Sequence, residues 1–369
     1  MKRLLKIFPL LIVVLLMNTT GLKANEPAAT EVSSHPAEEA GTLNVKELIL
    51  EHLGDTYEWH ITTIGESHIS IPLPVILISK TYGFNVFMSS AFHHGHESHN
   101  GFYIAHEGDY KGKIVEKDAT GQEIRPLDFS LTKNAASLLI SAILLIVIIL
   151  LIARSYKRNP LEAKKGFVGM MEMFILSVYD GIIKPGVGKD YKKFAPYLLT
   201  VFFFIFTNNL LGLIPLFPGG ANVTGNIAIT FVLAVCTFLI VNITGTKEYF
   251  KEIFWPDVPM WLKVPIPIMP AIEVIGVFTK PFALMIRLFA NILAGHSIVL
   301  GLVCLIFVTV SLGIPTNASM TVVSVIFTIF IDFVELLVAY IQAYVFTMLS
   351  AVFIGLSHVE PHHHSEVRS

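Results

Sequence analysis

Charged residues are scarce in this chain. They make up 15% of its 369 residues, against 53% hydrophobic. A soluble protein hides its apolar residues by periodic patterning. Here they gather after residue 135 in long uninterrupted runs, which means that lipid is the solvent. Cysteine is scarcer still. Cys236 and Cys304 both fall inside apolar runs, so no disulfide framework can form outside the membrane, and both read as small buried hydrophobes. The chain lacks a Gly-rich loop ending in Lys-Ser/Thr, the usual cradle for nucleotide phosphates. The net charge of -2 says nothing about nucleic acid, but no basic stretch interleaved with aromatics appears, and no nucleic-acid partner is expected.

The first residues read as an address. Lys2, Arg3 and Lys6 precede the apolar stretch Ile7–Met17, which is too short to span upright. Leu22, Lys23 and Ala24 supply a small-residue cleavage site, so residues 1–24 are expected to be a signal peptide, with an uncleaved anchor as the alternative. Either way the following segment is exported. Residues 25–40 are rich in Glu, Ala, Ser and Pro and predict a disordered lead. Residues 45–53 have helical spacing. Residues 57–63, 68–79, 101–106 and 113–117 read as short strands separated by turn residues. Residues 25–130 should thus hold a small β-rich or α+β extracytoplasmic domain.

Five apolar stretches follow, within a membrane domain at 131–357, and predict helices at about 136–153, 194–214, 226–244, 266–312 and 320–356. The connection 154–193 carries nine Lys/Arg and 245–263 carries three, whereas 215–226 and 313–319 carry none. The positive-inside bias places the first pair in the cytoplasm, the N-terminal domain outside, and the C-terminal tail 358–369 inside. The last two stretches would make helices of roughly 70 and 55 Å at ~1.5 Å per residue. A hydrocarbon core of about 30 Å requires such helices to tilt, bend or break. The expected fold is an all-α polytopic membrane protein whose last two helices are long, antiparallel and steeply tilted. Phe167, Met170, Met171, Phe174, Ile175 and Val178 repeat at helical spacing in the first cytoplasmic connection. They predict an amphipathic helix, either on the membrane surface or docked on a partner.

Ionisable residues in lipid are costly and mark function. The fourth stretch carries Glu273, Lys280, Arg287, Asn291 and His296; the fifth carries Asp332, Glu335 and Gln342. Glu273, Lys280 and Arg287 are seven apart and share a stripe, with Asn291 one turn beyond. Glu335 and Gln342 share a face as well. If Arg287 and Gln342 lie at one depth, antiparallel geometry brings His296 and Glu335 to a second shared depth, outward of Arg287. His296 then points away from the Arg287 face. Arginine keeps its charge at physiological pH and so serves as a fixed barrier, buried deep in its span, rather than as a relay. Histidine and glutamate can exchange protons. Glu273 and, less directly, Asp332 belong to other access routes. Lys280 can equally snorkel or pair with Glu273, and Asp332 can be a solvated helix-end charge.

Three motifs now carry a resemblance. Arg287-Leu288-Phe289-Ala290-Asn291, followed by Ala294-Gly295-His296, resembles the arginine helix of subunit a of the F-type ATP synthase membrane sector. Asn208-Asn209-Leu210-Leu211-Gly212-Leu213-Ile214-Pro215 looks like that family's second-helix signature, and Glu335 with Gln342 and Ala343 matches its last helix. The resemblance covers roughly 130–357. It implies a non-catalytic stator in the bacterial inner membrane, beside a rotating ring of c subunits and b-type peripheral stalk subunits. Two half-channels would load and unload ring carboxylates. By resemblance Arg287 blocks the leak, with Asn291, His296, Glu335 and Gln342 as channel partners. Glu273, Lys280, Asp332, Asn208 and Asn209 would belong to the access channels. No cofactor is implied, and ATP chemistry falls to another subunit. Some members carry the acid and the histidine exchanged between these two helices. A self-contained ion-coupled secondary transporter is the alternative, against which the missing inverted repeat counts. A sensor with a mere membrane anchor would have no use for the intramembrane charges. His93, His94, His96 and His99 invite comparison with a metal site, as do His362–His364, but a polar or proton-buffering loop explains them as well.

Overall fold

The computed structural model describes residues 54–358, apart from 65–66, 96, 119–120, 159–162, 215–218 and 256–267. The expected signal peptide, the disordered lead, the helical stretch 45–53, His96 and the histidines at 362–364 lie outside the described residues, as does the side chain of His94.

The N-terminal part is a β unit. Strands β1 (Glu58–Ile64) and β2 (Ser67–Pro72) form an antiparallel pair. Strand β3 (Pro74–Ser79) lies between β4 (Gly83–Met88) and β8 (Leu127–Asp128), and β6 (Ile114–Lys117) lies between β5 (Phe102–Ile104) and β7 (Glu123–Ile124). The stretch read as one strand over 68–79 is two. Pro72 and Pro74 flank Leu73 and lack the N–H that a continuous ladder needs. Strand β4 is not legible from its pattern. Its apolar residues Phe84, Val86 and Met88 point to the exposed face, so no buried alternation marks it, and pairing with β3 holds it in place. The core side of this unit is Tyr57, Val75, Leu77, Phe92, Phe102 and Ile114. The Tyr57 hydroxyl donates to Asp128 Oδ2 at 2.5 Å. Burial and that carboxylate push the phenol far above its ordinary range.

Helix α1 (Lys133–Arg158) is aliphatic along most of its length and closes on Lys157 and Arg158. Helix α2 (Gly166–Val178) continues through a π turn at Tyr179–Ile183 into α3 (Lys184–Val187). It turns Met171, Phe174 and Ile175 against the bundle core and leaves Phe167 and Met170 on the surface. Helix α4 (Tyr191–Leu213) precedes α5 (Ile227–Thr244), where the Asn226 side chain caps the first turn by accepting from the Ala228 N–H at 3.0 Å. The short α6 (Lys247–Phe254) is capped in the same way by Thr246.

The last two helices dominate the chain. Helix α7 (Ile268–Val308) has 41 residues and α8 (Ile314–Ser357) has 44. At 1.5 Å per residue these are about 62 and 66 Å long, twice the upright crossing of about 30 Å. A 3-10 turn at Thr309–Leu312 and Gly313 at φ 97° join them. That left-handed conformation suits glycine, and it lets Pro315 occupy the first turn of α8. The helix therefore starts six residues before the apolar run at Met320. Among the described residues five helical segments are long and apolar enough to cross a membrane. Their shared core is Leu198, Phe202 and Ile205 of α4, Leu284, Leu288 and Ile292 of α7, and Ala343 and Phe346 of α8.

Candidate functional site

Two polar groups meet where α7 and α8 run antiparallel near the β unit. His296 Nδ1 lies 3.1 Å from Glu335 Oε1. The side chains are 16% and 5% exposed, so the pair is withdrawn from the surface. Two glycines make the room. A Cβ on Gly295 would stand 2.7 Å from Glu335 Oε1 and 3.0 Å from its Cδ. A Cβ on Gly212 of α4 would stand 3.3 Å from His296 Nε2. Glycine inside a helix costs about 1 kcal/mol relative to alanine, so both positions trade helix stability for the approach of a polar side chain.

Asn209 ties this pair to α4. Its Nδ2 donates to the Ala339 carbonyl of α8 at 3.2 Å, one turn from Glu335, and its Oδ1 accepts from Thr224 Oγ1 at 2.7 Å. Asn208 donates to Phe204 O in its own helix at 2.8 Å, and its buried Oδ1 has no partner. Gln342 is buried two turns from Glu335 on the same face of α8. Such an arrangement can hold one proton between an imidazole and a carboxylate.

Arg287 is elsewhere. Taking His296 opposite Glu335, antiparallel counting puts Arg287 level with Tyr344, about 3 Å along the axis from Gln342. Arg287 is exposed on the surface of the chain, as is Asn291 one turn on. The cause is azimuth, since Leu284, Met285, Leu288 and Ile292 form the buried face of α7 and Arg287 lies more than a quarter-turn from its centre. Lys280 is also exposed, with Nζ 5.9 Å from the Phe353 ring centroid, a cation–π distance. It lines a cleft with Thr237, Asn242, Tyr249 and Pro281. Glu273 is half-buried and Asp332 exposed. The structure therefore brings together His296, Glu335, Asn209 and Gln342. It leaves Arg287, Asn291, Lys280 and Asp332 facing outward.

The histidine patch resolves into separate contacts. His93 pairs with Glu97 at 3.7 Å, and His99 packs on Phe87 with ring centroids 4.8 Å apart. Among the described residues no three such side chains converge as metal ligands. Sequence reasoning missed Gly295 and Gly212 as spacers and Thr224 as the partner of Asn209. Two glycines inside otherwise apolar helices were the available signal.

Residues 135–355 match the family model described as ATP synthase A chain. The chain belongs to the ATP synthase A chain family. Its membrane domain is thus one of ATP synthesis and proton transport, in a multi-pass bacterial membrane protein. ATP synthase subunit a 2 of Chlorobaculum tepidum is 42% identical over 259 residues, which cover 67% of this chain and 69% of the relative. ATP synthase subunit a of Myxococcus xanthus is 42% identical over 246 residues, 65% of this chain and 77% of the relative. That of Chloroherpeton thalassium is 38% identical over 251 residues, 66% and 71% respectively. The A chain match leaves the β unit out. Residues 48–129 match instead a domain family of unknown function.

Proposed function

We propose that this chain is the proton-channel stator of a rotary ATP synthase. It provides two half-channels that load and unload carboxylates on a rotating ring of c subunits. The observation that carries this reading is the placement of Arg287. A permanently charged guanidinium sits in mid-helix on an outward stripe that it shares with Lys280, Ala283, Ala290, Asn291 and Ala294, all exposed on the surface of the chain. In lipid it would cost about 2.5–3.5 kcal/mol. An anionic group on a neighbouring subunit removes that cost and gives the arginine its use. A transporter complete in one chain would instead close its charged site inward.

In this reading His296 and Glu335 are the terminal proton pair of the outer half-channel, and Gln342 lies between that pair and the level of Arg287. Asn291 flanks the arginine on the ring-facing stripe. Glu273 and the cleft at Lys280 belong to the inner route. Asn208 and Asn209 line the outer one, and Asp332 stands apart from it on the exposed side of α8. The β unit lies outside, following removal of residues 1–24, and the C-terminus lies in the cytoplasm. The b-type peripheral stalk subunits hold the chain against rotation, and nucleotide chemistry belongs to other subunits.

Arg287→Ala tests the reading in inverted membrane vesicles that hold the whole complex. ATP-driven proton pumping should be lost while the chain is still present at its native level. Coupled pumping that survives the substitution refutes the assignment of Arg287.

A further inference from the structure

The β unit has no role in the mechanism above, yet its contacts place it. Trp59, Ile71 and Leu73 pack with Ala136 and Leu138 of α1, Ala221 and Val223 of the connection between α4 and α5, and Ile229 of α5. The Lys133 N–H donates to Thr56 O at 2.8 Å, and the Asn134 N–H donates to Asp55 Oδ1 at 3.0 Å. Asp55 thereby caps the first turn of α1 from the β unit. The unit covers this end of the bundle, the end that holds His296 and Glu335.

Beneath this cover the apolar packing gives way. Helix α1 is otherwise aliphatic, but Asn134, Ser137 and Ser141 fall at intervals of three and four and form one buried stripe. Phe204 of α4 packs beside Ala136 and Ile140. Asn208, one turn closer to the β unit, therefore lies about level with Asn134 and Ser137. Asn222 and Thr224 are buried in the connection between α4 and α5.

Asn134 Oδ1, Ser137 Oγ, Asn208 Oδ1 and Asn222 Nδ2 are each buried with no hydrogen-bond partner. All four residues are more than nine-tenths buried. An orphaned buried polar atom costs about 1–3 kcal/mol, and buried water is the usual remedy. One such atom is a local defect. Four on three neighbouring elements, adjoining Asn209, Thr224 and the His296–Glu335 pair, form a path.

We propose that the β unit is the vestibule of the outer half-channel. It roofs a hydrated corridor that passes beneath Asp55 and Trp59, along Asn134, Ser137, Asn208 and Asn222, to His296 and Glu335. This rests on the half-channel reading given above. The competing route reaches Glu335 from the exposed side of α8 past Asp332, one turn away, and leaves the β unit without a part in conduction.

Thiol accessibility in the intact complex separates the two routes. In a background with Cys236→Ala and Cys304→Ala, the near-isosteric Ser137→Cys is treated with a membrane-impermeant methanethiosulfonate on right-side-out vesicles. Ser137→Cys should react from the outside although the serine is fully buried, and the modification should produce a loss of ATP-driven pumping. Ala136→Cys, one residue away in the apolar cluster, should stay unreactive. Silence at 137 with labelling of Asp332→Cys overturns the vestibule in favour of the competing route. Equal labelling at 136 and 137 overturns it too, because the whole helix end is then open. Failure of the underlying reading is distinct. Coupled pumping in Arg287→Ala removes the half-channels whatever the labelling. Loss of pumping there, with Ser137→Cys silent, removes the vestibule alone.

Discussion

Gly295→Ala isolates the geometry of the proton pair from the stability of the helix that carries it. The new methyl would stand 2.7 Å from Glu335 Oε1, 3.0 Å from Cδ and 3.3 Å from Cγ. Ordinary contact starts near 3.4 Å, so the carboxylate must withdraw by about 0.7 Å. That stretches the 3.1 Å approach of His296 Nδ1 and Glu335 Oε1 to as much as about 3.8 Å. A proton shared across that contact would make a charge-assisted hydrogen bond, worth about 1.5–3 kcal/mol. On the half-channel reading, with transfer through this pair limiting turnover, losing it slows pumping by about tenfold or more at 1.36 kcal/mol per decade. Alanine is meanwhile the better helix former by about 1 kcal/mol, so the amount of chain in the membrane should not fall. The assay is ATP-driven quenching of a pH-responsive dye in inverted vesicles, with chain level measured by immunoblot. Adding Glu335→Asp shortens the acid by about 1.5 Å, one carbon–carbon bond, and should restore part of the rate. Undiminished pumping in Gly295→Ala refutes the positioning argument. A double variant no faster than Gly295→Ala means that crowding of the carboxylate is not the cause.

Two further outcomes follow from packing at the edges of the bundle. Burial raises the Asp55 carboxyl above its usual range. Net of the Asn134 N–H and Thr132 hydrogen bonds, which favour the carboxylate, its contribution to stability is fullest below the unfolded-state pKa of about 3.9 and is lost as pH rises through the folded-state value. Asp55→Asn keeps the acceptor oxygen and removes the charge. Hydrogen exchange at the Asn134 amide at neutral pH should then be at least as slow as in the native chain, and the extra protection the native chain gains on acidification should vanish; faster exchange would mean that the Asn134 and Thr132 hydrogen bonds to the carboxylate outweigh its burial. Gly355→Ala would drive a methyl into the Gly186 carbonyl oxygen, a backbone atom that cannot rotate away. An overpacking cost of about 1–3 kcal/mol should reduce the membrane level of the chain, whereas Gly181→Ala, which meets open space, should not.

The helices were legible because lipid imposes a coarse rule. A span needs length and apolarity, and the charge content of short connections punctuates the runs. The spacing of Glu335 and Gln342, and the antiparallel count from His296 to Glu335, were legible because α-helical geometry fixes depth and azimuth together. What the sequence could not give was context on the far side of each helix. That Arg287 lies on the outward face of the chain could not be read from its apolar neighbours in sequence, because it depends on which face α8 and α4 cover. Strand β4 was missed for the mirror-image reason. Its apolar residues point away from the core, and the strand exists through pairing alone. Thr224 was invisible as a partner for Asn209 because a connection, not a periodic element, places it.

The outward-facing guanidinium has a consequence for how the complex comes to exist. On the stator reading proposed above, a copy of the chain inserted alone holds Arg287 against acyl chains, at about 2.5–3.5 kcal/mol; a copy docked against an anionic neighbour does not. That difference is worth about two orders of magnitude in the docking equilibrium. A single side chain therefore penalises the solitary subunit and favours its incorporation, so that the bilayer itself discriminates between the incomplete machine and the finished one.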